Sequence, residues 1–110
     1  MHYEDAAKAC VDSLTAQFEG RISGGEIFLA TDGVPVTRQE MVESCLTCAA
    51  YDEGAMPQFT VEDGPRGKSM TNLHTRERLG WEPVYPSFTA FVAAGAVDSF
   101  FPKRKVNRWR

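Results

Sequence analysis

The sequence predicts a mostly helical α/β fragment, four helices with two or three short strands, on three observations. Apolar residues recur at helical spacing in several stretches, most clearly between Glu4 and Phe18. Glu26 to Ala30 is a run of mostly β-prone residues closed by the Asp32-Gly33 turn pair. Met1 to Tyr3 and Gln58 to Val61 are the only other stretches that suit a strand, so the strands are too few to make a sheet of their own.

Taken in order, the first helix is expected over Glu4 to Phe18, with Ala7, Cys10, Val11, Leu14 and Phe18 along one face, after a strand remnant at Met1 to Tyr3. Gly20 to Gly25 supplies a turn and leads into the Glu26 to Ala30 strand. Thr37-Arg38-Gln39-Glu40 is a capping box, because the Thr oxygen and the Glu carboxylate can each accept the other's free backbone N–H. Val36 and Met41 stand where a hydrophobic staple would sit. The second helix therefore starts at Arg38 and runs to about Ala50, burying Met41, Val42, Cys45, Leu46 and Ala49. Tyr51 to Thr71 is polar and rich in Gly and Pro. Leu73 to Leu79 is a short third helix capped by Asn72, and Ser87 to Phe100 a fourth, stopped by Pro102.

At 110 residues, 43% hydrophobic and 25% charged, the chain has the composition of one globular domain at most. A chain of this size buries about two-thirds of its unfolded surface, so its core is not generous. Lack of a long apolar run or a signal-peptide pattern predicts an intracellular, soluble protein without a membrane span. Charge divides the chain at Pro102. Residues 1 to 102 hold seven basic against fifteen acidic side chains, a net of −8, whereas Lys103, Arg104, Lys105, Arg108 and Arg110 give the tail +5. An acidic body argues against nucleic-acid binding. Cys10, Cys45 and Cys48 are odd in number and read as reduced thiols; the Cys45-x-x-Cys48 pair lies within a predicted helix, where small apolar packing is the simpler role than metal or redox chemistry.

The most determined stretch is Leu79-Gly80-Trp81-Glu82-Pro83-Val84-Tyr85-Pro86-Ser87-Phe88. Gly80 can close a helix in the left-handed conformation, Trp81 can fold back on it, and Pro83 and Pro86 hold the chain extended until Ser87 caps the next helix. With Asn72 and Arg76 before it, this block resembles the closing segment of the extended short-chain dehydrogenase/reductases, the NAD(P)-dependent sugar epimerases and dehydratases. Met1-His2-Tyr3-Glu4-Asp5-Ala6-Ala7 and Gly25-Glu26-Ile27-Phe28-Leu29-Ala30-Thr31-Asp32-Gly33-Val34-Pro35-Val36-Thr37 resemble two earlier segments of that family, in the family's order, so the likeness covers roughly Met1 to Val92.

The resemblance implies that residues 1–101 are part of the C-terminal, substrate-binding lobe of such a Rossmann-type protein, with 102–110 a basic tail. It implies NAD or NADP for a full-length parent, but not for this chain. No Gly-rich strand-to-helix turn is present to receive a pyrophosphate, and no tyrosine has a lysine four residues on to tune its phenol, since Tyr3, Tyr51 and Tyr85 are followed there by Ala7, Ala55 and Thr89. The expected role is thus to hold substrate, with no catalytic, cofactor-binding or metal-binding residue of its own and a Rossmann-containing chain as partner. Arg66 and Lys68 are the candidate substrate-binding residues, for the phosphates of a nucleotide-sugar or related substrate: the family often places basic residues in the loop before its closing helix, a planar guanidinium suits a phosphate and an ammonium adds a point charge. The competing account of these two residues is a solvated loop that pairs locally with Glu62 and Asp63. For His2, Trp81 and Tyr85 packing is the simpler expectation, and for Arg76 and Arg78 a solvated helix end. The competing account of the whole chain is a non-catalytic interaction module derived from this family.

Overall fold

The computed structural model describes residues 1–48, 55–60, 66–95 and 97. Among the described residues four helices follow one another, α1 (Tyr3–Phe18), α2 (Arg38–Leu46), α3 (Leu73–Leu79) and α4 (Phe88–Ala93), and there is no strand. The α/β expectation is therefore corrected to an all-helical arrangement with long extended connections. A strand exists only as one half of a hydrogen-bonded pair. Among the described residues no segment pairs with residues 26 to 30 to complete one, and residues 1 and 2 lead directly into α1 with His2 as its N-cap. Gln58 to Thr60 is irregular, and Val61, residues 49–50 of the expected second helix, residues 96 and 98–100 of the expected fourth, and the basic tail lie outside the described residues.

The helices pack as two pairs, α1 against α3 and α2 against α4. Each pair has its own small core. Ala9 and Ala16 of α1 meet Leu79 and Trp81, with Ile22, Phe28 and Ala30 around them, while Cys48, Val92 and Val97 form the second cluster beside Phe88 and Phe91. The buried side of α1 is Asp5, Ala9 and Ala16, not the Ala7-Cys10-Val11-Leu14-Phe18 face that its periodicity suggests; all five of those are exposed, Phe18 at 90%. Small side chains on the inner face let Trp81, fully buried, lie close against the helix, and the larger residues opposite are exposed. α2 likewise buries no residue: Val42, Cys45 and Leu46 are half-covered and Met41 is exposed, with Ala49 outside the described residues.

The helix starts follow the sequence closely, whereas α2 stops at Leu46 and α4 at Ala93, short of the expected Ala50 and Phe100, α4 just before Gly95 at φ 68°. Glu40 N–H donates to Thr37 Oγ1 at 3.1 Å and Thr37 N–H to Glu40 Oε2 at 2.8 Å, completing the capping box. Gly80 ends α3 at φ 66°, and Ser87 Oγ accepts from Ala90 N–H at 3.0 Å at the start of α4. Asn72 departs from expectation. Its side chain makes no cap bond; instead Nδ2 donates to the Thr31 carbonyl at 2.6 Å. Thr75, one turn on and fully buried, donates its hydroxyl to the Leu29 carbonyl at 2.8 Å. These two α3 side chains substitute for a sheet partner along one edge of the extended segment, because carbonyls two residues apart point the same way.

Candidate functional site: a cleft at Arg66 and Lys68

Both sequence-predicted substrate residues line one cleft of about 240 Å³, formed by Thr31, Asp32, Gly33, Val34 and Pro35 on one side and by Arg66, Gly67, Lys68 and Met70 on the other. Its first wall is fixed from α3 and from within. Asn72 holds the Thr31 carbonyl, the Thr31 hydroxyl accepts Gly33 N–H at 3.2 Å, and Asp32 Oδ1 accepts Val34 N–H at 3.3 Å. Gly33 stands at φ 79°, a backbone state that a side chain strains; a Cβ there would also meet Asn72 Nδ2 at 3.8 Å. The turn that carries Asp32 and Gly33 is thus a cleft wall, whereas its sequence shows only a turn.

Charge in the cleft is unequal. Asp32 is largely buried and pairs through Oδ2 with the Met1 amino group at 3.0 Å. Arg66 Nη2 contacts Glu40 Oε1 at 2.6 Å, the same carboxylate whose other oxygen closes the capping box of α2. Glu40 is the described acidic partner of Arg66; Glu62 and Asp63 lie outside the described residues. Lys68 is exposed and pairs with no described residue, so its ammonium is the uncompensated charge of the cleft. Val34 and Met70, both exposed, and Pro35 add an apolar rim. The arrangement can hold an anionic group by a point charge and one guanidinium edge.

The other singled-out residues lie elsewhere. His2 caps α1 by accepting Glu4 N–H on Nδ1 at 3.3 Å and stacks among Tyr3, Tyr85 and Phe91, with ring centroids 4.3, 4.6 and 4.8 Å away. Trp81 packs in the first core and Tyr85 meets Phe91 edge-on at 5.0 Å. Arg76 pairs with Glu82 at 3.2 Å, and Arg78 forks onto Glu26 at 2.7 and 3.1 Å. That fork, opposed by partial burial and aided by the charge of Arg78 and by His74, holds the Glu26 carboxyl below its ordinary range. Burial and then the neighbouring Cys48 push the Cys45 thiol upward, which keeps it protonated and a poor nucleophile. Among the described residues no group of three or more His, Cys, Asp or Glu is arranged to hold a metal ion, and no helix is long and apolar enough to cross a membrane.

No protein-family model, no curated protein and no solved structure matches the chain.

Proposed function

We propose that this chain is a non-catalytic, substrate-holding part of an NAD(P)-dependent epimerase/dehydratase-type protein. Its cleft takes an anionic group of a sugar-like substrate, and a Rossmann-containing chain supplies the dinucleotide and the proton-transferring pair. One observation carries this reading: two basic side chains, one of them unpaired among the described residues, converge on a single cleft with a braced backbone wall. At about 240 Å³ the cleft lies below the roughly 300–1,000 Å³ of sites that enclose a whole small ligand. It therefore suits a phosphoryl or carboxyl group whose remaining ligand lies on a partner surface.

Amide-resolved NMR titration of the chain with a nucleoside-diphosphate sugar tests this. The expected outcome is weak binding, Kd on the order of millimolar, with shifts centred on Gly33, Gly67 and Lys68 that disappear in Lys68→Ala. Unchanged shifts in that variant would remove the cleft from the account. Micromolar affinity for NAD(P) would place the cofactor on this chain and overturn the division of labour. A specific observation favours the second reading, an interaction module: Ile27 and Leu29 are 80% and 52% exposed on a segment whose Phe28 and Ala30 face the core, leaving an apolar face for a partner to cover. Absence of any anion binding, together with capture of a Rossmann-containing chain through Ile27 and Leu29, would favour that module.

A further inference from the structure

We infer that Cys45 and Cys48 are a modification site: they close into an intrachain disulfide that clips the end of α2, with a small disulfide of the oxidised-glutathione type as oxidant. The sequence places both cysteines inside one helix, but α2 ends between them. Leu46 is its last residue, Thr47 is the C-cap, and Cys48 follows. Thr47 N–H donates to the Ser44 carbonyl at 3.1 Å, and Cys48 N–H to the Cys45 carbonyl at 3.1 Å. The Thr47 hydroxyl donates to the Ser44 carbonyl as well, at 2.7 Å.

Successive bonds between residues three apart tighten this last turn to 3₁₀ geometry, in which side chains at that spacing stand one above the other. A four-residue turn closed in this way brings its end Cα atoms within about 7 Å. A disulfide needs them about 4.4–6.8 Å apart, so the bond forms with little movement of the backbone. Cys48 is buried beside Val92 and Val97, whereas Cys45 is only half-covered and is the sulfur that an oxidant reaches first. Burial and Cys48 raise the Cys45 thiol, and no described cation lowers it, so the pair is a slow-forming clip and not a catalytic nucleophile. A closed zinc site takes four ligands, and among the described residues no further His, Cys, Asp or Glu joins these two.

The bond is made by two exchanges. The Cys45 thiolate, its proton given to water, attacks one sulfur of oxidised glutathione; a Cys45–glutathione bond forms, the glutathione disulfide breaks, and one glutathione thiolate leaves and is protonated. Deprotonated Cys48 Sγ then attacks Cys45 Sγ, forms the Cys45–Cys48 bond and expels the second glutathione thiolate, which is protonated in turn. Two electrons and two protons thus pass from the cysteines to glutathione. Once closed, the clip fixes the turn that seats Cys48 against α4 and steadies α2, which buries no residue of its own. Neither cysteine lines the cleft, so the inference does not rest on the proposed substrate role.

Incubation of the chain for hours in glutathione buffers of rising oxidised fraction, followed by alkylation and peptide mass mapping, tests this. Reduced chain should be alkylated at Cys10, Cys45 and Cys48, and oxidised chain at the exposed Cys10 alone. Cys10→Ser should still close the Cys45–Cys48 link, and dithiothreitol should reopen it. Cys48→Ala should stop at a glutathione adduct on Cys45, the product of the first exchange. Closure should slow amide exchange in α2 by on the order of tenfold, since it removes open states of a short loop. Alkylation of all three thiols at every buffer ratio overturns the inference, as does a link that uses Cys10 or an oxidised chain whose α2 exchanges as fast as the reduced one. Zn²⁺ that shields both thiols while glutathione leaves them free would assign the pair to a metal instead.

Discussion

Asp5 holds the molecule together at the scale of single residues. It sits on the first turn of α1, almost fully buried, and its two carboxylate oxygens accept the backbone N–H groups of Val84 at 2.7 Å and Tyr85 at 3.1 Å; its own carbonyl accepts the Trp81 indole N–H at 3.0 Å. A buried carboxylate persists only when such donors replace water. From the sequence, an acid at this position suits the positive end of the helix dipole and nothing more. Its partners lie about eighty residues away, a distance at which local patterns carry no information. Asp5→Ala should destabilise the fold by about 2–4 kcal/mol in chemical denaturation, since two amides lose a charged acceptor inside the structure. Trp81→Phe should cost less, about 1–2 kcal/mol, because it keeps the aromatic body and removes one hydrogen bond to a carbonyl that α1 itself also engages. Glu26 yields a pH dependence. Its folded carboxyl is held below the unfolded value by the Arg78 fork, so its contribution is complete above the ordinary glutamate range and is lost as pH falls through the lowered folded value. Glu26→Gln should remove that acid-side slope from a stability–pH series.

At the scale of elements, helix starts and the Gly80 stop were legible, whereas the ends of α2 and α4 and the helix faces were not. The Thr37–Glu40 box, the Gly80 stop and the Ser87 cap each depend on atoms within four residues, which is why sequence pattern suffices for them. Thr37→Ala should lower stability by about 1 kcal/mol and fray the start of α2, visible as faster amide exchange at Glu40. The inward side of α1 escaped because periodicity finds an apolar stripe without saying whether anything covers it. Asn72 escaped for a related reason: an asparagine before a helix suits a cap, yet here it reaches the Thr31 carbonyl, forty-one residues distant, and helps build the cleft wall. Arg66 and Lys68 were legible as basic residues of a Gly- and Pro-containing loop. Their convergence with Thr31 to Pro35, and the engagement of Arg66 by Glu40, required the folded chain.

At the scale of the whole molecule, the described residues form two helix pairs with separate small cores, joined by the Asp5 bonds and the His2, Tyr85 and Phe91 rings. Stability should accordingly be uneven. Amides of α1 and α3, which share Trp81, are expected to outlast those of α2 in hydrogen exchange, with α2 opening first because it buries no side chain completely. Uniform protection across all four helices would contradict this. The sequence by itself determined where helices begin and the sharp turn from the Gly80 stop to Ser87, consequences of short-range sterics and capping, together with the basic character of the candidate site, but not the ends of α2 and α4. Tertiary structure decided which face of α1 is buried, that the Glu26 to Ala30 segment is held by α3 side chains and not by a strand, and what Asp5 does. Those outcomes depend on which distant groups are present to satisfy a hydrogen bond or cover an apolar surface, and a chain's local pattern does not encode the presence of its partners.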